Sequence, residues 1–473
     1  MKAVLIFLLL ALLQGCAVNP VSGREDFVLM SESDEIAMGR QSDLEVRKQY
    51  GVYESKHLQE YVNRVGQRLA ANSHRPNLAY HFTVLDSPEV NAFALPGGYV
   101  YITRGILPYL GSEADLAAVL GHEIGHVTAR HSVKQYTAAT ATQIGAELAS
   151  IFVPEMNTQA GYSLINVSGN ALLSGYGREH ELEADKLGSE YLARTGYDPH
   201  AMIEVLSVLK NQEEFDKVLA QEEHRQPRSY HGLFASHPDT DTRLQQVVNE
   251  AAALEVSPHP VVGRRIYLQE IDGLTFGDSP AQGVVRNNEF LHAGLGIAIN
   301  FPPDWIVKNS PKKLQAISPG ADAAIELTLV DQYAGDPALY LQKRFSSQEA
   351  TRIGASGLQG AMTIVSPKAE AAAFLKDGNL FVITAVAKSA QAFSGQRAGM
   401  EKAIYSFHTL SAAEKKLARG LRISIRHAGP RDTFESLSRG SPLGKNATGY
   451  LRLLNEAYPN GEPHPGEEIK LVE

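Results

Sequence analysis

The stretch VLGHEIGHVTARH, residues 119–131, limits what this chain can become more than any other. Its apolar residues recur at helical spacing, yet it carries two histidines four apart with a glutamate directly after the first. In a helix such positions lie one above the other on one face, so His122 and His126 aim their imidazoles at one point and Glu123 lies beside them. Two histidines satisfied by hydrogen bonds in a helical core would also fit. The chemistry that needs this pattern is a metal clamp with a base: neutral imidazoles bind zinc, and the glutamate can take a proton from an attacking water.

A catalytic zinc takes three protein ligands and keeps a fourth position open, so a third ligand must come from elsewhere. Metzincin spacing would need Gly at 129 and His at 132, where the chain has Ala129 and Ser132. His131 lies five residues past His126, which on a continuous helix turns it away from the metal face and makes it a supporting or surface residue. REHELEADKLG, residues 178–188, reads as a second helix with Glu181 and Asp185 on one face. Glu181 is the candidate ligand, and Asp185 the candidate to orient an imidazole. Glu179 and Glu183 fall on the opposite, solvated side, and spacing alone leaves the choice among these carboxylates open.

At 473 residues the chain is too long for one core and reads as multidomain. A formal charge of −9 without Lys/Arg clusters excludes a nucleic-acid footprint. The single cysteine, Cys16, excludes intramolecular disulfides and a cysteine nucleophile downstream. Before it, the apolar run from Ala3 to Leu13 is too short to cross a bilayer of about 30 Å, so residues 1–15 read as a secretion signal. Leu13-Gln14-Gly15-Cys16 resembles a bacterial lipobox, which would lipidate Cys16 and anchor the exported chain to a membrane; Ala17 in the next position implies the periplasmic face of the outer membrane in a Gram-negative host.

Residues 33–73 read as two helices, and residues 80–105 as strands around a Pro96-Gly97-Gly98 turn. Helices come next at Glu113–His131, 135–152, 178–195, 199–210 and 239–253, giving a mainly helical domain with a small sheet over 16–254. Residues 255–288, rich in Pro and Gly, read as a linker. Strands at 296–301, 314–318, 323–332, 362–366 and 379–387, with helices near 338–346 and 394–406, predict a smaller α/β (α+β) domain over 289–410. A last unit, 411–473, reads strand, helix, helix, strand.

NAFALPGGYVYITRG, HEIGH, ELEAD and SHPDTDTRL, in this order within residues 30–255, resemble the gluzincin zinc-metallopeptidase family of HtpX, BepA and the CAAX prenyl proteases. The resemblance implies a zincin-type peptidase domain with one zinc per chain on His122, His126 and Glu181, and Glu123 as general base. His237 matches a family histidine near the metal that steadies the tetrahedral intermediate or blocks the fourth position, and Arg243 matches its companion arginine. The chain lacks the transmembrane helices of HtpX and the prenyl proteases and is similar to the soluble periplasmic branch. Such a protein would cleave unfolded or misassembled envelope polypeptides; the other function class is a chaperone or assembly factor that keeps the site but cuts little.

Gly98, Tyr99, Val100 and Tyr101 are expected to present an open strand edge to which an extended substrate adds. The long polar segment 211–238, which delivers His237, is expected as a lid. In the C-terminal half, GIAINFPPDW faintly resembles a PsbP/Mog1-like α/β fold, with Trp305 as a core anchor. LRISIRHAGPRDTFESL, together with the residues after it up to the C-terminus, resembles a LysM module, whose partner would be peptidoglycan, although Pro430 and Arg431 interrupt the usual Gly-Asp-Thr.

Overall fold

The computed structural model describes residues 16–140, 176–222, 240–254, 257–311 and 313–473. They fall into two compact units: Met1–Arg47 with Val52–Leu274 and Arg422–Glu473, and Lys48–Gly51 with Thr275–Leu421.

The first unit opens with an antiparallel pair, β1 (Cys16–Val18) and β2 (Glu25–Phe27), then α1 (Glu32–Tyr50) and α2 (Lys56–Ala70). Strands β3 (His81–Leu85), β4 (Ala92–Leu95) and β5 (Tyr99–Thr103) form a sheet of order β3-β5-β4. This corrects the substrate-edge expectation for Gly98, Tyr99, Val100 and Tyr101. β5 is the central strand, parallel to β3 on one side and antiparallel to β4 on the other, and all five of its residues are buried. The β4–β5 hairpin is local and readable. The parallel partner comes from earlier in the chain, and no local signal announces it. At the hairpin turn a Cβ on Gly97, whose φ is +77°, would lie 2.7 Å from the Ile36 Cα, so the turn fits against α1 only without a side chain. Buried Glu35 of α1 ties these parts together, accepting from Arg75 Nη1 at 2.8 Å, Arg130 Nε at 3.0 Å and the Gly97 N–H at 3.3 Å.

Helix α3 (Glu113–Thr128) is capped by Ser112, whose hydroxyl accepts from the Asp115 N–H, and is buried from Ala114 to Thr128. It ends three residues before the expected His131: Arg130 adopts a left-handed φ of 55°, and residues 131–140 begin a new helical stretch. The rest of the helix expected over 135–152 lies outside the described residues. Helix α4 (Arg178–Thr195) packs closely against α3 and stops at left-handed Gly196. Small residues allow the approach: a Cβ on Gly125 would sit 2.9 Å from the Ala184 carbonyl, and one on Gly188 would sit 3.0 Å from the His122 nitrogen.

Helix α5 (Ala201–Glu222) runs well past the expected end at 210, because Phe215, Leu219 and Ala220 continue its buried face. The first part of the expected lid is therefore packed helix. Residues 223–239, with His237, lie outside the described residues. After α6 (Thr240–Ala253), the stretch expected as a linker carries α7 (Arg264–Ile271), with Tyr267, Leu268 and Ile271 fully buried. Its flanking glycines and prolines masked a short amphipathic turn of helix.

The second unit begins with β6 (Thr275–Phe276). Strands β7 (Val284–Arg286), β8 (Glu289–His292) and β9 (Ile297–Asn300) join the later β17 (His408–Thr409) in a four-stranded antiparallel sheet. The seven-stranded antiparallel sheet has β10 (Ile306–Ser310), β11 (Lys313–Ile317), β12 (Ala323–Val330), β13 (Thr351–Ala355), β14 (Leu358–Ser366), β15 (Ala369–Lys376) and β16 (Asn379–Ala387), in the order β10-β11-β12-β16-β15-β14-β13. With α8 (Pro337–Phe345), α9 (Ala390–Tyr405) and α10 (Ala412–Leu417) this is an α+β arrangement, and Trp305 lies in its core beside Phe374 and Phe407. β15, with the sequence AEAAAFLK, has helical propensity but is a strand. It is paired on both sides, and its alanines fit the narrow spaces on both faces of the sheet.

The C-terminal stretch returns to the first unit as β18 (Leu421–His427), α11 (Phe434–Ser438), α12 (Ala447–Leu454) and β19 (Glu468–Val472), the expected strand, helix, helix, strand. Among the described residues no helix is long and apolar enough to cross a membrane.

Candidate metal centre

The close contact of α3 and α4 brings the side chains of His122, His126 and Glu181 together, all buried, each offering one ligand atom within 4.8 Å of the others. The two Nε2 atoms are 3.0 Å apart, and the Glu181 oxygens lie 3.6 Å from His122 Nε2 and 3.5 Å from His126 Nε2. Zinc bonds of about 2.0–2.1 Å at tetrahedral angles place ligand atoms about 3.3 Å apart, so the donor set fits this ion in chemistry and in spacing. Glu123, next in sequence to His122, is fully buried.

Each imidazole is oriented from behind. His122 Nδ1 lies 2.8 Å from Asp185 Oδ1, and Asp185 is gripped by Arg243 of α6 through two bonds of 2.7 Å, Nε to Oδ2 and Nη2 to Oδ1. Arg243 also reaches Glu181 Oε2 at 3.1 Å. Burial alone would raise the Asp185 carboxyl, but Arg243 and His122 hold it well below the usual carboxylate range. As a pure acceptor, ionised Asp185 requires an N–H on His122 Nδ1 and so leaves the Nε2 lone pair facing the cluster.

His126 is held by His131, one of whose two expected roles was a supporting one, and by Glu183, which was expected in solvent. His131 is fully buried, with Nδ1 2.8 Å from His126 Nδ1 and Nε2 3.1 Å from Glu183 Oε2. The Glu183 carboxylate only accepts, so His131 donates from Nε2 and accepts at Nδ1 from His126, whose Nε2 lone pair then points at Glu181. Burial holds the His131 imidazole below its ordinary range despite the pull of Glu183, which favours its neutral form. The Tyr176 ring stacks on His126, centroids 4.0 Å apart, and its hydroxyl lies 2.6 Å from Ser132 Oγ.

The structure therefore brings together His122, His126, Glu181, Asp185 and Arg243, with buried Glu123 next to His122 on the same helix, and places Glu179 on the exposed surface. It does not bring in Gly98, Tyr99, Val100 and Tyr101 as an open edge. Contrary to expectation, Glu183 is engaged through His131 instead of being left to solvent, and Tyr176 was not foreseen. The clue to His131 would have been the helix end at Thr128, which resets the angular phase of every later residue.

Residues 56–251 match the sequence pattern of peptidase family M48. The chain is 31% identical over 258 residues to the beta-barrel assembly-enhancing protease of Yersinia pestis, covering 53% of this chain and 50% of that protein. The protein of the same name from Escherichia coli (strain K12) is 30% identical, with 47% of this chain and 45% of that one covered. The mitochondrial metalloendopeptidase OMA1 of Schizosaccharomyces pombe is 35% identical over 187 residues, 38% of this chain and 54% of that one. The chain spans about half the length of the curated relatives it matches. Among solved structures, a solution structure of cyanobacterial PsbP from Synechocystis sp. PCC 6803 aligns at TM-score 0.20 and 14% identity over 27% of this chain and 96% of that one, a level from which no shared fold follows. Over residues 56–251 the chain is thus similar to peptidase family M48, a zinc metallopeptidase family, and the buried His122, His126 and Glu181 set fits that metal.

Proposed function

We propose that this protein is a zinc endopeptidase that cleaves unfolded or misassembled polypeptides of the bacterial cell envelope. The observation that carries the reading is the buried convergence of His122, His126 and Glu181, with Glu123 on the same helix. Zinc held by those three residues would polarise the substrate carbonyl and make a water nucleophilic near neutral pH. Glu123 takes the proton of the attacking water and returns it to the leaving amine. Asp185 and the His131–Glu183 pair keep the two imidazoles in the tautomer that binds metal.

Substrate binding falls to β4, not β5. Among the described residues β4 pairs on one side only and packs against α3, so an extended chain can add to its free edge beside the metal helix. Only unfolded segments can pair in this way, which favours damaged or unassembled proteins as substrates. The names of the relatives, proteases linked to β-barrel assembly and a mitochondrial metalloendopeptidase, support a role in envelope quality control. The leader ending in Leu13-Gln14-Gly15-Cys16 supports export and lipid anchoring through Cys16 at the periplasmic face of the outer membrane. His237 enters this reading through the resemblance of SHPDTDTRL alone.

The test is proteolysis of reduced, unfolded casein against a stably folded control protein. Casein should be cut, activity should vanish on chelation and return with zinc, and the folded control should survive. Casein left intact by the zinc-loaded protein would instead mark an assembly factor that rarely cuts.

A further inference from the structure

The loop that leads into the metal helix is held by residues that follow the matched region 56–251. Three of its carbonyls face inward, and each accepts from a side chain later than residue 260. Tyr267 Oη donates to the Leu107 carbonyl at 2.6 Å, Arg264 Nη1 to Gly111 at 3.2 Å, and Lys470 Nζ to Leu110 at 2.8 Å. Tyr267 and Lys470 are both fully buried. Immediately after these carbonyls come Ser112, the cap of α3, and Asp115, which accepts the Gly111 N–H at 2.8 Å.

A buried ammonium is an expensive way to fill space. Burial pushes the Lys470 amine down to about 8 against the opposing pull of Glu456, so a methionine of similar length would cost less if packing were all that mattered. What the ammonium supplies is a donor for the buried Leu110 carbonyl, which precedes the cap of α3 and so lies outside that helix's hydrogen-bond ladder. The lysine is held in turn, its backbone N–H and C=O paired with the Asn455 side chain at 2.8 and 2.9 Å. A second contact supports the helix layer from another direction. Phe215 of α5 lies edge-on to Tyr450, centroids 4.9 Å apart, and a Cβ on Gly449 of α12 would strike its ring at 2.3 Å.

We propose that residues 264–274 and 422–473 are a built-in support of the peptidase, in which Lys470 is a positioning residue that sets the first turn of α3 and, through it, the placement of His122, Glu123 and His126. The C-terminal stretch is thus a closing piece of the catalytic unit, not an appendage. The inference rests on the zinc-peptidase reading for its kinetic consequence but not for its structural one.

The experiment uses the full chain carrying Lys470→Met, which keeps the length and removes the donor, and Tyr267→Phe, which removes one hydroxyl. Three quantities are read: zinc affinity by chelator competition, kcat and KM on unfolded casein, and amide hydrogen exchange over residues 107–120. For each variant, exchange there should quicken roughly tenfold, as expected when one buried hydrogen bond is lost. Zinc affinity should fall roughly tenfold, the lower end of effects from groups that orient ligands, and kcat should fall with KM unchanged. If Lys470→Met does not fold, Tyr267→Phe carries the test alone. A folded variant of reduced thermal stability with wild-type zinc affinity, kcat and exchange in 107–120 would overturn the proposal. Failure of the zinc-peptidase reading would look different, since wild-type protein would then neither bind zinc nor cut casein while exchange over 107–120 still responded to the substitutions.

Discussion

Glu123→Gln is expected to keep its fold and its zinc and to lose casein hydrolysis by about a thousandfold, the middle of the range for a positioned proton-transfer group. The amide has the shape of the carboxylate but cannot accept the proton of the attacking water. Glu123 is fully buried, so bulk water cannot stand in as base at a comparable rate. Because Glu123 is not one of the three converging ligands, metal content should match wild type. Casein hydrolysis measured beside metal analysis checks both halves; activity within tenfold of wild type would remove Glu123 from the proton-transfer step.

Arg243→Leu is expected to lower stability by about 3–5 kcal/mol, the usual cost of leaving buried charge without its partner. Arg243 makes two hydrogen bonds to Asp185 and a third contact to Glu181, and both carboxylates are fully buried. Removing the guanidinium leaves buried Asp185 with His122 as its remaining partner and Glu181 with the two imidazoles and the zinc they would share. Arg243→Lys should recover only part of the loss, since an ammonium cannot span both oxygens of Asp185. The double variant Arg243→Leu with Asp185→Asn should be less unstable than the sum of the two single changes, because the uncompensated charge is then gone. Denaturant unfolding of the wild type and the four variants checks this, and a loss below about 1 kcal/mol for Arg243→Leu would show that the arginine does not balance the cluster.

What the sequence disclosed about the centre comes from helical geometry. His122 and His126, and Glu181 and Asp185, are each four apart within one uninterrupted helix, so their shared faces are directly legible. His131 is not, because its spacing has meaning only on a helix that continues, whereas Arg130 turns the chain at φ 55° and brings His131 back against His126. Glu183 is hidden for the same reason, since its partner is His131. The small residues Gly121, Gly125, Ala184 and Gly188 are visible in the sequence, but only the packed helices reveal that they set the separation at which carboxylate meets imidazole.

In the fold, local elements are legible and non-local ones are not. The β4–β5 hairpin can be anticipated, but the parallel strand β3 that covers the other edge of β5 cannot, and that one pairing moves the open edge from Tyr99–Thr103 to Ala92–Leu95. Likewise the strand, helix, helix, strand pattern of the last stretch is readable, whereas the reach of Lys470 to Leu110, across 360 residues of sequence, is not.

The most direct measurement of the central claim is the metal content of the purified protein and of its Glu181→Ala and Glu179→Ala variants. With zinc on His122, His126 and Glu181, the wild type and Glu179→Ala should each carry about one zinc per chain, and Glu181→Ala should lose most of it, since three protein ligands leave none to spare. Zinc retained by Glu181→Ala and lost from Glu179→Ala would contradict the assignment.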